Sequence, residues 1–251
     1  MSSPDHTLLN IGWPLAVAVA ILGAVAAAVN RCNGPFLTRA TVVAIIRAAA
    51  QLLALALIIG FVIRSLWLSA LFIALMAVVA SWTSAGRVSS CRATVPATTR
   101  CLVPVAASTV VIVAVLVVIG VLPPSGLAII PTAGIMLGGA MNTTSIAGRR
   151  AHEELRLRHG ELEAALSLGF SSRDARLEIT RDAAVTALIP GLDQTRSVGL
   201  VTIPGAFVGM ILGGASTTSA AIMQLFVLIS LLAVSSVAAL ITVELIARNR
   251  L

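Results

Sequence analysis

The chain has 251 residues, of which 58% are hydrophobic and only 11% are charged, and its formal net charge is +7. A soluble globular domain carries about 25% charged residues, so the composition excludes that class and predicts an integral membrane protein. The basic excess does not indicate a nucleic-acid partner. The arginines lie in short segments between apolar runs, where they record which side of the bilayer faces the cytoplasm.

The chain contains no lysine. A standard phosphate-binding P-loop requires the lysine of GxxxxGK[ST], so any ATP hydrolysis must take place on another subunit, and we expect no cofactor on this chain. The cysteines Cys32, Cys91 and Cys101 show no CxxC spacing, and we interpret them as reduced thiols. The N-terminus lacks the basic region of a signal peptide, so the first apolar run is expected to remain as a span.

Apolar runs long enough to cross a bilayer occur seven times. A crossing helix needs about 20 mainly apolar residues, and we predict an all-α polytopic membrane protein that forms a single transmembrane domain over residues 1–251. Because the arginines cluster in alternate loops, the positive-inside rule places the N-terminus outside and the C-terminus inside. The predicted spans are residues 8–29, 40–63, 66–85, 101–121, 126–147, 197–214 and 219–246.

The segment 149–196 differs from the rest of the chain, because it holds eight of the seventeen arginines and eight of the ten acidic residues. Its apolar residues recur at helical spacing between charged ones, which is typical of amphipathic helices. We predict a cytoplasmic insert of two short helices, with a hinge at Gly169 and with Pro190 and Gly191 ending the second helix.

Asp193 and Arg196 lie one helical turn apart at the start of the predicted sixth span. At that position they are expected at the membrane surface, where an ion pair between them would fix the insert against the bilayer. A simple solvated pair is the alternative.

Arg47 lies inside the predicted second span, and Gln51 follows one turn later on the same face. An arginine at the centre of a span costs about 2.5–3.5 kcal/mol on insertion scales, so it normally faces a protein interior or reaches the surface. The two residues therefore either form structural contacts or line a polar cavity. Gln224, in the last predicted span, is a milder case with the same two interpretations.

The end of the predicted fifth span is unusually polar around Met141 and Asn142. The amide oxygen of Asn142 and the sulfur of Met141 could coordinate a cation or contact a substrate. Hydrogen bonding between helices and simple packing are the alternatives. No residue pattern identifies a metal site.

Part of the charged insert resembles a known element. Glu163, Ala164 and Ala165, followed after three residues by Gly169, resemble the EAA loop of ABC-transporter permeases, which docks into a groove on the ATP-binding subunit. The later Ile-x-Leu-Pro of that loop is represented only by Leu188-Ile189-Pro190, farther along than usual. The resemblance implies that Glu163, Ala164, Ala165, Gly169 and Pro190 are ATPase-coupling residues.

A longer resemblance covers nearly the whole chain. Arg47-xxx-Gln51-Leu52, GIMLGGAMN at 134–142 and ALIPGLDQTRSVGLVTIPGAFVGMILGGAS at 187–216 resemble the FetB-like (YbbM-like) family of ABC permeases. That family implies a separate ABC-type ATP-binding subunit and export of a metal ion such as iron. Its plant relatives are associated with aluminium tolerance. We expect the chain to work in the inner (plasma) membrane as a homodimer, because two copies are an economical way to enclose a path.

The sequence departs from that family at two places that could touch a substrate. Gly138-Gly139 replaces a glycine-asparagine pair of the enterobacterial type, and residues 206–210 lack most of its methionines and its glutamine. The residues left as candidates for the translocation pathway are Arg47, Gln51, Met141, Asn142 and Met210.

Two classes of function follow from the sequence. The first is the membrane subunit of an ABC transporter, which should co-purify with a soluble protein that carries a P-loop. The second is a secondary carrier or channel that uses Arg47, Gln51 and Asn142 and acts without an ATPase. A membrane scaffold, which would show no flux at all, is a third hypothesis.

Overall fold

The computed structural model describes residues 12–32, 34–88 and 94–251. Within these residues the regular structure is helical, apart from one isolated bridge between Val198 and Thr202. Six helical segments are long and apolar enough to cross a membrane, which confirms the predicted class. These are α1 (Trp13–Cys32), α2 (Pro35–Val62), α3 (Leu66–Val88), the segment Val95–Val118, α6 (Gly126–Leu157) and α10 (Thr217–Ala247).

The chain divides into two compact units, residues 1–62 and residues 63–251. In the described part of the first unit, α1 packs on α2, and Asn30 Nδ2 donates a hydrogen bond to Thr41 Oγ1 at 2.8 Å near the turn that joins the two helices. No residue of α1 is buried within the chain. Both helices are mainly apolar, as expected of helices whose surroundings are lipid or other protein, although α2 also carries the exposed Arg47 and Gln51.

The second unit is built around α6, which packs on α10, α3 and α8 (Ser172–Ser197). Its core uses small residues, which let helix backbones approach closely. Buried hydroxyls cross the interface, since Thr242 Oγ1 donates to Thr144 Oγ1 at 3.4 Å. The core residues are Ala77, Ala80, Val105, Met136, Leu137, Ala140, Val234 and Ala238.

The fourth crossing segment consists of α4 (Val95–Leu102), a π-helical turn (Val103–Ala107) and α5 (Ser108–Val118). Pro104 lacks an N–H, so it interrupts the regular α-helical bonding. Ser108 Oγ donates to the Pro104 carbonyl at 2.6 Å, which satisfies one of the affected groups.

The expectation of one continuous helix over the predicted sixth span, residues 197–214, was wrong, whereas the crossing itself stays a prediction. The helix α8 (Ser172–Ser197) ends where the span was expected to begin, residues 198–204 are non-helical, and α9 (Gly205–Leu212) has only eight residues. Gly199 has a φ of +82°, in the left-handed region that glycine adopts without strain. The Ser197 carbonyl accepts N–H groups from Leu200, Val201 and Thr202, which closes the break.

The prediction that Pro190 and Gly191 end a helix was also wrong, because both lie inside α8. A proline in a helix interior costs about 3 kcal/mol or more. Helix α8 packs along both α6 and α10, with Ala175, Ala183 and Ala187 buried against them. This tertiary packing keeps the helix intact through the proline. The hinge at Gly169 is present, between α7 (His159–Ser167) and α8.

We predict that Gly148→Ala lowers the stability of the second unit. A Cβ at Gly148 would lie 2.5 Å from Val88 Cγ2 and 3.2 Å from Val88 Cβ, so α3 and α6 could not keep their present approach. Overpacking of this kind costs about 1–3 kcal/mol, measurable as a lower midpoint of thermal unfolding in detergent.

Gly138→Ala is the matched control on the same helix, since a Cβ there meets nothing within 4 Å. Equal midpoints for the two variants would contradict the close approach of α3 and α6 at Gly148.

Candidate functional site

The pathway candidates lie in different parts of the fold. Arg47 and Gln51 are exposed on α2, in the first unit. Met141 and Asn142 lie on α6 in the second unit, and Met210 is half-buried in α9, which packs on α10. Arg47 and Gln51 lie one turn apart in the first unit, and Met141 and Asn142 form a local group in the second unit.

That local group is a polar seam between α3 and α6. Arg87 donates to Asn142 Oδ1 at 3.2 Å, and Ser84 Oγ donates to the Met141 carbonyl at 3.1 Å. Ser145 Oγ lies 3.5 Å from Ser84 Oγ and donates to the Met141 carbonyl at 2.7 Å. These contacts favour the interpretation of Asn142 as a residue that joins two helices.

The residues of the EAA resemblance form a capped helix end. Gly169, with a φ of +91°, follows α7; its N–H donates to the Leu166 carbonyl at 3.0 Å, and the Phe170 N–H donates to the Ala165 carbonyl at 3.1 Å. This pair of bonds is the Schellman motif, which requires a residue in the left-handed region. The Ala164 carbonyl accepts the Leu168 N–H at 3.0 Å, so the motif residues shape the turn.

We call residues 168–171, between α7 and α8, the elbow. It presents apolar side chains to the surroundings, because Leu168 is 80% exposed and Phe170 is 52% exposed. Ser171 caps α8 by accepting the Asp174 N–H at 3.1 Å. An exposed apolar pair on an otherwise charged surface is typical of a protein contact.

Charged side chains surround the elbow. Arg158 donates two hydrogen bonds to Glu161, at 2.9 and 2.5 Å, and this guanidinium holds the pKa of the Glu161 carboxyl below its ordinary value. Glu163 is exposed, and its Oε1 lies 3.5 Å from His159 Nδ1. Because this long contact is the one that the Glu163 carboxylate makes within the described residues, the carboxylate is available to a partner.

A cluster of charges fastens the start of α8 to the end of α10. Arg173 donates two hydrogen bonds of 2.8 Å to the two oxygens of Glu244, and Arg248 donates to the same carboxylate at 2.6 Å. The hydrogen bond to Glu244 raises the pKa of Arg173. Arg176 adds a bond of 2.8 Å to Asn249 Oδ1. The sequence analysis did not identify this clamp, although Glu244 is the single acidic residue of α10.

The other end of α8 reaches a cavity of about 340 Å³ beside the non-helical residues 198–204. Its walls are mainly apolar. Gln224 lines it, is 8% exposed, and its Oε1 has no hydrogen-bond partner in the described part of the chain. A buried amide oxygen without a donor is unfavourable by about 1–3 kcal/mol. The lining residues are Val198, Gly199, Ile203, Pro204, Phe207, Ala221, Gln224, Leu225 and Leu228.

Residues 12–32, 34–88 and 94–251 contain no group of three or more His, Cys, Asp or Glu side chains that could hold a metal ion. Pro190 is exposed on α8. It lies between the elbow and the cavity beside residues 198–204.

These features define a multi-pass helical membrane protein that also carries charged helices and a non-helical break between α8 and α9. The chain belongs to the family described as UPF0014, an uncharacterised protein family, whose model matches residues 13–251. This confirms the resemblance to the FetB-like proteins, one of which is among its relatives. No solved structure matches the chain.

Three relatives illustrate the family. The UPF0014 membrane protein STAR2 of Oryza sativa subsp. japonica is 38% identical over 117 residues, which are 47% of this chain and 41% of the relative. The UPF0014 membrane protein YjkA of Bacillus subtilis is 28% identical over 195 residues, 76% of each chain. The probable iron export permease protein FetB of Escherichia coli is 30% identical over 123 residues, 49% of this chain and 48% of the relative. The chain spans about two fifths of the length of the first curated relatives it matches.

We predict that Glu244→Gln lowers the midpoint of thermal unfolding of the purified protein. The neutral amide cannot hold two guanidinium groups, so Arg173 and Arg248 lose their shared partner and the start of α8 loosens from α10. Glu178→Gln is the control, because Glu178 is exposed on α8. Equal midpoints for both variants would show that the clamp does not fasten α8.

Proposed function

We propose that this protein is the membrane subunit of an ABC transporter. It works as a homodimer with two copies of a separate ATP-binding subunit in the inner (plasma) membrane, and it exports a metal ion such as iron. One observation carries the proposal: a single helix, α8, runs from the elbow to the break at residues 198–204. The relative named as a probable iron export permease supports the choice of cargo.

The topology that accompanies this proposal has seven crossings. The last part of α8, the break and α9 together form the sixth crossing as a discontinuous helix, a form that transporters use near the membrane midplane. With the other six spans this would put the two termini on opposite sides of the membrane, and the arginine-rich loops favour an outside N-terminus and an inside C-terminus. The elbow and α7 then lie in the cytoplasm, together with the first turns of α8.

The elbow is the surface that meets the ATP-binding subunit. Leu168 and Phe170 supply an apolar centre, and Glu163, Arg173 and Arg176 supply the polar rim that such an interface usually has. The Schellman motif at Gly169 fixes the direction of the turn, so the apolar pair is held in position before the partner binds. Such preorganisation lowers the entropic cost of association.

Movement passes from the elbow through α8. Its 26 residues form a rod of about 39 Å at 1.5 Å per residue. The rod is fastened to α10 by the Glu244 clamp. A displacement of the elbow would therefore move α8 and α10 together, including the end of α8 at the break. Closure of the two ATP-binding subunits would thus shift the two copies of this chain against each other, as in rigid-body gating.

We predict that the double variant Glu163→Gln/Gly169→Ala uncouples ATP hydrolysis from transport. The first change removes a charge at the rim, and the second strains a residue whose φ is +91°. Membrane insertion should be unaffected. The measurement is ATP-driven Fe²⁺ flux and ATP hydrolysis in proteoliposomes that contain both subunits.

The matched control is Glu178→Gln/Gly160→Ala, which alters the same residue types at exposed helical positions, with open space around Gly160. We expect this control to retain flux. Unchanged flux in the Glu163→Gln/Gly169→Ala variant would count against the coupling role. Flux by the permease reconstituted without an ATP-binding subunit would favour the carrier hypothesis.

A further inference from the structure

The position of Asp193 and Arg196 along α8 is different from the surface position that the sequence indicates. Near its start, α8 lies beside the end of α10, where Arg173 meets Glu244. Farther along, Gly191 faces Leu232, and Val198 shares a cavity with Gln224 and Leu228. The two helices therefore run antiparallel, and Asp193 and Arg196 stand opposite the part of α10 between Gln224 and Leu232.

That part of α10 lies deep in an apolar stretch. No charged residue occurs from Thr217 to Val243. At 1.5 Å per residue, Leu232 is about 18 Å from Glu244, and Gln224 is about 10 Å from the N-terminal end of α10. The Asp193 and Arg196 charges consequently lie well inside the hydrocarbon layer, which is about 30 Å thick.

Both side chains are exposed within the chain, Arg196 at 75% and Asp193 at 65%. A charged side chain exposed to lipid at this depth is costly, and such residues face a water-filled cavity or other protein. Their own pairing does not remove the cost, because Arg196 Nη1 lies 3.8 Å from Asp193 Oδ1, beyond hydrogen-bond length. The carboxylate oxygens remain able to take another cation.

The end of α8 next to Asp193 and Arg196 offers further polar groups to a cation. The helix ends one residue after Arg196, and the last turn of a helix carries carbonyl groups without partners in the helix and the negative end of its dipole. A carboxylate and helix carbonyl oxygens are both ligands of metal cations.

We propose that Asp193 is the cation-binding group at mid-depth of the translocation pathway, with Arg196 as the counter-ion that the cation displaces. The ligand is a divalent metal cation. This inference rests on the proposed transport function and adds the place and chemistry of its binding site. The pathway then follows the exposed face of the last turn of α8.

The test begins with binding and does not need the ATP-binding subunit. Mn²⁺ binding to the purified full-length protein in lipid nanodiscs is counted by electron paramagnetic resonance. We expect Asp193→Asn to weaken Mn²⁺ affinity by about 10-fold or more, because the charged ligand is lost. Arg196→Gln should strengthen Mn²⁺ affinity, because it removes the competing cation. A purely structural ion pair would not give opposite signs.

Asp182→Asn is the matched control, since Asp182 is an exposed aspartate on the same helix, about three turns nearer to the clamp. It should bind Mn²⁺ as the wild type does. Wild-type protein that binds no Mn²⁺, an Asp193→Asn variant with unchanged affinity, or equal weakening in both pair variants would overturn the proposal.

A second measurement does not use the Asp193→Asn variant, so it tests the proposal even if that variant fails to fold. Gln194→Cys is made in a background with Cys32, Cys91 and Cys101 changed to serine, and is treated with a charged, water-soluble methanethiosulfonate. We expect labelling at this membrane depth and protection by Mn²⁺. Labelling by membrane-soluble maleimide alone would show that this face meets lipid or another protein, and would overturn the proposal.

Measurement of ATP-driven Fe²⁺ flux with the ATP-binding subunit distinguishes a failure of the proposed binding site from a failure of the proposed transport function. Mn²⁺ binding and labelling as expected, with no ATP-driven flux in the wild type, would contradict the transport function and retain the site. Flux in the wild type that persists unchanged in Asp193→Asn would contradict the site and retain the function.

Discussion

The packing of α8 between α6 and α10 is the constraint on which the other features depend. Buried alanines on α8 let the three helices approach closely, and the gain from this packing outweighs the unfavourable proline at position 190. If α8 ended there, residues 191–197 would not belong to the same helix as the elbow end of α8. Because it continues to Ser197, a surface contact and a site at membrane depth belong to one rigid element.

The two ends of α8 have different chemistry, and each suits its surroundings. At one end, exposed apolar side chains and charges form the surface that we propose for the ATP-binding subunit. At the other, the helix stops in an apolar region, where backbone groups without partners are costly. There the Ser197 carbonyl accepts three N–H groups, and Gly199 supplies the left-handed turn. The break is thus stable in itself and still leaves helix carbonyls and a buried amide nearby.

Hydropathy predicted most of the fold, because a span of about 20 apolar residues has few alternatives in a bilayer. It could not reveal the break, since Val198, Leu200 and Val201 are as apolar as any helical span. Gly199 and Pro204 were the available signals, and their spacing around β-branched residues favours non-helical backbone. The error at Pro190 had the opposite cause, because tertiary packing overrode a local preference.

The site was less predictable than the fold. The EAA resemblance located the elbow, and the structure adds that its alanines and glycine form a helix cap. The clamp joins Arg173 to Glu244, far apart in the sequence, so only the fold brings them together. Asp193 and Arg196 were assigned to the surface because the charged segment appeared to end there. Their depth follows from the antiparallel register of α8 and α10, and this register cannot be predicted from the periodicity of apolar residues in the sequence.

Hydrogen–deuterium exchange of the protein in proteoliposomes, followed by mass spectrometry, tests most directly whether α8 is one helix from the elbow to the break. We expect slow exchange of the backbone amides from Ala183 through Ser197, without a fast point at Gly191, and faster exchange in residues 198–204. Fast exchange around Gly191, together with slow exchange across 198–204, would contradict this expectation.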